Sequence, residues 1–153
     1  MTFRIIYDIK IYNWKITKIY DLLNKERLSI MASKTILVVD DEPNSLFVTS
    51  QILKDQSYQV ITAENGHLLL EKIEEEKPDL VVLDIKMVDY NGLDLLQDIR
   101  NRFYDLPVVL CTAYDTFKED MKSIAADYYV IKSFDLSELK SKIAMALDAG
   151  AKE

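Results

Sequence analysis

Thr35-Ile36-Leu37-Val38-Val39-Asp40-Asp41 is an apolar, mostly β-branched run that stops abruptly at two acids. Three later stretches repeat the pattern: Leu80-Val81-Val82-Leu83-Asp84, Val108-Val109-Leu110-Cys111-Thr112-Ala113 and Tyr128-Tyr129-Val130-Ile131-Lys132. Continuous apolar runs of this length read as strands buried on both faces, each delivering one polar group at its C-terminal end. In an open parallel α/β sheet, that edge is where ligands bind. Three acids, a hydroxyl and an amine therefore meet at one place, a set suited to accepting a phosphoryl group.

Outward from these runs, strands and helices alternate with short connectors, as in successive βαβ units. The expected strands are 35–39, 59–63, 80–83, 108–111 and 128–131. A helix from Pro43 to Lys54 has Leu46, Phe47, Ser50 and Leu53 on one face, with Pro43 in the first turn, where its missing N–H does no harm. Further helices are expected at 67–76, 93–102 and 136–147, with a short, weakly patterned one around 117–124. Asp135 suits the N-cap of the last helix, with Glu138 in capping-box position. The expected fold is a doubly wound α/β sandwich with right-handed crossovers and helices on both faces of a five-stranded parallel sheet.

The chain has 153 residues, enough for one domain with a substantial core. No apolar run approaches the ~20 residues of a membrane span. The single Cys111 excludes an internal disulfide and fits a reducing, cytoplasmic setting; within a strand it reads as a small buried hydrophobe. The formal net charge of −7 is unevenly spread. Residues 1–30 carry six Lys/Arg and three Asp/Glu, net +3, which leaves −10 for residues 31–153. So acidic a domain, without a Lys/Arg cluster, argues against nucleic acid as a direct partner.

Residues 1–30 look foreign to the rest of the chain. They are rich in Ile, Tyr, Lys and Asn, and charges interrupt them too often for a signal peptide. Met31 opens a natural start just before the first strand, and Lys25-Glu26-Arg27 can be encoded by a ribosome-binding sequence. The expectation is a translated leader over 1–30 and a protein that starts at Met31. The rival is a real extension, with Phe3, Ile5, Tyr7, Ile9 and Ile11 alternating as a strand and Ile16, Ile19, Tyr20 and Leu23 at helical spacing.

Residues 34–148 closely resemble the receiver domain of bacterial two-component response regulators, of the single-domain chemotaxis or sporulation-phosphorelay type. The residues that carry the resemblance are Asp40-Asp41, Asp84, Thr112-Ala113 and Lys132. It implies the flavodoxin-like strand order 2-1-3-4-5, for which a member of this family is the usual illustration. It also implies a Mg²⁺ site of Asp40, Asp41, Asp84 and the backbone carbonyl of Lys86. In that set Asp41 is a direct ligand and Asp40 acts mainly through water, with Glu42 on the rim. Asp84 is the implied phosphoacceptor. Thr112 and Lys132 contact the phosphoryl oxygens, and Thr112 with Tyr129 forms the conformational switch. Lys86 and Tyr114 fall where relatives tune dephosphorylation. The donor is a histidine kinase or histidine phosphotransfer protein, because His67 lies in no kinase-like context. With only six residues after Leu147, the expectation is a stand-alone, monomeric receiver that signals through a downstream protein or passes the group on. Its changed surface would span residues 115–147.

Each residue has a plainer explanation when taken alone. Asp40 or Asp41 could cap a helix, Thr112 could serve β propensity, and Lys132 could be a surface lysine. Only the four positions together outweigh these. The chain departs from the family at Ser133 and Val88, both usually proline, and at Ala125, usually glycine. A cis peptide before a non-proline residue costs ~2.5–4 kcal/mol, so the Lys132–Ser133 loop is expected to be trans or strained. A haloacid-dehalogenase-type phosphatase needs a second acid two residues after its nucleophile, and Lys86 stands there. A flavin carrier would suffer repulsion between its phosphate and the acids. A phosphorylation-independent binding module should not keep three like charges together without a cation.

Overall fold

The computed structural model describes residues 2–32, 34–113 and 123–150. The chain divides into two compact units, 1–33 and 34–153. The first is a single helix, α1 (Thr2–Ala32). The strand expected over residues 3–11 does not form. Alternation alone cannot make a strand where no neighbouring strand offers backbone partners, whereas a helix satisfies its own. The side chains of Tyr12, Trp14, Ile16, Ile19, Tyr20, Leu22 and Leu23 are all exposed.

The second unit is built on five parallel strands: β1 (Thr35–Val39), β2 (Gln59–Ala63), β3 (Leu80–Leu83), β4 (Val108–Thr112) and β5 (Tyr128–Ile131). Their order across the sheet is β2-β1-β3-β4-β5, as expected. Around them lie α2 (Pro43–Asp55), α3 (Leu69–Glu76), α4 (Gly92–Arg102) and α5 (Ser137–Gly150). The helix expected at 117–124 falls mostly outside the described residues; Ser123–Ala125 is a 3₁₀ turn.

Side-chain alternation explains the three layers. Leu37 and Val39, Val81 and Leu83, and Val108 and Leu110 join Leu69 and Ile73 of α3 and Leu93, Leu96 and Ile99 of α4 in one core cluster. The intervening strand residues face α2 and α5, whose Leu46, Leu53, Leu139 and Ile143 are buried. The buried stripe of α2 is Leu46, Thr49, Ser50 and Leu53. Phe47, expected on that face, is exposed instead. Buried spacing of three, four and seven leaves its direction outside the stripe.

Helix α3 starts two residues later than expected. Asn65 accepts a hydrogen bond from the His67 amide, and Leu68 then adopts a left-handed φ of 54°, which delays the helix to Leu69. At the last helix Asp135 acts as a cap, accepting from the amide and hydroxyl of Ser137. The helix it caps continues three residues beyond the expected end, to Gly150.

Candidate functional site

Register places the functional residues. Val39 of β1 pairs with Leu83 of β3, so Asp40 and Asp84 leave the sheet side by side. Thr112 of β4 pairs with Ile131 of β5, which puts Lys132 one step further along the same edge. The chain turns to opposite sides of β1 to reach β2 and β3, so the edge between β1 and β3 is a topological switch point. The acids stand there.

The Lys132 ammonium lies 2.7 Å from Asp40 Oδ2 and 2.8 Å from Asp84 Oδ2, bridging two buried carboxylates. Burial works to lower the Lys132 pKa, but these hydrogen bonds outweigh it and hold the ammonium above its usual range. Asp40 is further engaged: Oδ1 accepts from the Glu42 amide and Oδ2 from the Ser45 hydroxyl, at 2.6 Å. Asp84 Oδ1 receives the Lys86 amide at 3.3 Å. Asp41 Oδ2 accepts from the Val88 amide at 2.6 Å. One oxygen from each of Asp40, Asp41 and Asp84 lies within 4.8 Å of the others. Such a set of hard carboxylate donors fits Mg²⁺, which takes one or two carboxylates and leaves its other positions to water and phosphate.

Thr112 is fully buried, and among the described residues its hydroxyl has no hydrogen-bond partner. A buried unpaired hydroxyl costs about 1–3 kcal/mol, so its retention beside the carboxylates points to a ligand that completes it. Tyr129 of β5 is half-buried, pairs with Leu110 of β4 and packs against the core cluster. Cys111 is buried and free, as expected; burial pushes its thiol up to about 12, against the opposing pull of Lys132. Tyr114 lies outside the described residues.

The Lys132–Ser133 peptide is trans, since no cis bond occurs among the described residues. Without proline, the turn is held by the Ser133 hydroxyl, which donates to the Asp135 carbonyl. Phe134 projects fully into solvent beside a crevice of about 250 Å³ lined by Val48, Cys111, Lys132 and Leu136.

The sequence reading overlooked three contributors: Ser45, the Val88 amide and Gly92. A Cβ on Gly92 would stand 2.1 Å from the Asp84 carbonyl oxygen, so α4 begins hard against the backbone of the acceptor residue. Only Gly92 left a sequence signal, in the Asn91-Gly92 pair. A backbone donor such as Val88 leaves none.

A family model described as response regulator receiver domain matches residues 36–144. Among curated proteins, the chain is 35% identical over 115 residues to a probable transcriptional regulatory protein, TcrX, of Mycobacterium tuberculosis, covering 74% of this chain and 49% of that protein. The chain spans only about half or a quarter of the length of the curated relatives it matches. Among solved structures it is similar to the response regulator protein TrrA of Thermotoga maritima in complex with Mg²⁺-BeF. The identity is 43% and the TM-score 0.72, covering 74% of this chain and 98% of that one. It is also similar, at 45% identity and a TM-score of 0.70 with the same coverage, to a chain in the complex of histidine kinase ThkA with TrrA.

Proposed function

The chain belongs to the response regulator receiver family, and we propose that Asp84 accepts a phosphoryl group from a phosphohistidine of a kinase or phosphotransfer protein. The observation that carries this is the Thr112 hydroxyl, without a partner among the described residues, at the same sheet edge as the Asp40–Lys132–Asp84 bridge.

In the transfer, an Asp84 carboxylate oxygen forms a new bond to phosphorus while the phosphorus–nitrogen bond breaks. The bonding pair leaves with the donor imidazole. Asp40, Asp41, Asp84 and the Lys86 carbonyl would hold Mg²⁺, which neutralises charge on the phosphoryl oxygens. Lys132 is already held beside Asp84 and supplies a positive charge to one phosphoryl oxygen; Thr112 donates to another and gains the bond it lacks. Movement of Thr112 toward the phosphoryl group would open space behind β4 for Tyr129, the element that transmits the change.

The donor would dock over the crevice next to Lys132, where Val48 and Phe134 expose apolar surface. The similarity to TrrA, solved with a histidine kinase, supports such a partner. The acidic charge of the unit favours output through a downstream protein or onward transfer of the phosphoryl group, without direct contact to nucleic acid. No described helix is long and apolar enough to cross a membrane.

Intact-mass spectrometry with acetyl phosphate and Mg²⁺ tests the reading. One phosphoryl adduct is expected, absent in Asp84→Asn and without Mg²⁺. Absence of both adduct and Mg²⁺ binding would leave a phosphorylation-independent protein-binding module instead.

A further inference from the structure

Asp41 bonds to a loop that belongs to another strand. The segment from Ile85 to Gly92 leaves β3 and returns into α4, closed at its base by the Gly92 amide donating to the Ile85 carbonyl at 2.7 Å and by a bridge between Lys86 and Asn91. At its tip Met87 is buried, but Val88 is 90% exposed and gains nothing from packing. What ties Val88 down is its amide, which donates to Asp41 Oδ2 at 2.6 Å across 47 residues of sequence.

We propose that this bond is a latch in competition with a divalent cation at the acidic triad, so that Val88 acts as a positioning residue that sets cation affinity. The inference rests on reading Asp40, Asp41 and Asp84 as a Mg²⁺ site. Its sign follows from charge. A hydrogen bond donated to a ligand oxygen withdraws electron density from it, the reverse of outer-shell acceptors, which raise ligand basicity. A short bond to an ionised carboxylate is strong because the acceptor carries full charge. A dication on Asp41 takes up that charge, and the bond to Val88 weakens. The coupling is reciprocal: if the latch lowers cation affinity, the cation loosens the loop tip by the same factor. Cation occupancy is thereby reported on an exposed surface beside the acceptor.

The experiment follows Mg²⁺ titrations of the full chain by amide NMR, with hydrogen exchange at Val88. Val88→Pro removes the donor and should tighten Mg²⁺ binding about fivefold. Val88→Ala keeps the donor and should leave affinity within about twofold. In the unsubstituted chain, saturating Mg²⁺ should speed exchange of the Val88 amide by a similar factor. Unchanged or weaker binding by a folded Val88→Pro chain overturns the latch, as does unchanged or slower exchange at Val88. If Val88→Pro fails to fold, the exchange measurement on the unsubstituted chain decides alone. A chain that binds no Mg²⁺ at all sinks the metal reading and the latch together. Binding that leaves Val88 indifferent sinks only the latch.

Discussion

Thr112 has a hydroxyl where a methyl group would fit the resting structure better. It is fully buried and, among the described residues, its oxygen has no hydrogen-bond partner. Thr112→Val keeps the shape and removes the unpaired oxygen. The variant should therefore gain about 1 kcal/mol of stability, read as a higher urea midpoint at unchanged slope. The same variant should accumulate its acyl phosphate more slowly, because a phosphoryl oxygen loses its donor. A variant both less stable and equally fast would remove Thr112 from the site. Such residues were legible in the sequence because each ends an apolar run, and four such runs deliver their polar ends to one sheet edge. Ser45 was not legible: it lies in the first turn of α2 and meets Asp40 only once the helix folds back over the edge. Nor was the Val88 amide, since every non-proline residue has one and its target depends on the path of the loop.

At the scale of elements, the strands could be read to within a residue, since β-branched runs bounded by polar residues fix their position; only β4 runs one residue further than expected, to Thr112. Helix boundaries could not. Leu68 takes a left-handed conformation that no composition rule assigns to leucine, and it shifts the start of α3. The expected strand over residues 3–11 failed for a different reason: alternation records which side chains share a face, but a strand also needs a partner. The sharpest prediction at this scale concerns α4. Its first residue, Gly92, has an ordinary backbone conformation and is glycine only because the Asp84 carbonyl stands 2.1 Å from where a Cβ would be. Gly92→Ala must displace the backbone of the acceptor residue and should lose about 2–4 kcal/mol, with shifts at the Asp84 and Ile85 amides. Gly150→Ala, at the end of α5 with nothing within 4 Å among the described residues, should be neutral or stabilising by up to about 1 kcal/mol. An equal neutral or stabilising effect in the two variants would show that helix propensity, not the approach to Asp84, decides at Gly92.

For the whole molecule, the question is what residues 1–33 contribute. Every buried apolar side chain described lies at Ile36 or later, and the sheet with its four helices lies in the unit from Lys34 onward. Helix α1 carries exposed Trp14, Ile16, Ile19, Tyr20, Leu22 and Leu23. So many exposed large apolar side chains on one helix are an association liability. Stability measures that contribution directly. Removing a segment that contributes no buried apolar side chain among those described should leave the unfolding equilibrium of the rest untouched. A fragment of residues 34–153 should therefore melt in one cooperative transition within about 2 °C of the full chain, and form the same Asp84 adduct at the same rate. It should also stay monodisperse at concentrations where the full chain associates, because the exposed apolar helix is gone. A drop in Tm of about 10 °C would mean that residues 1–33 contribute to the stability of the rest.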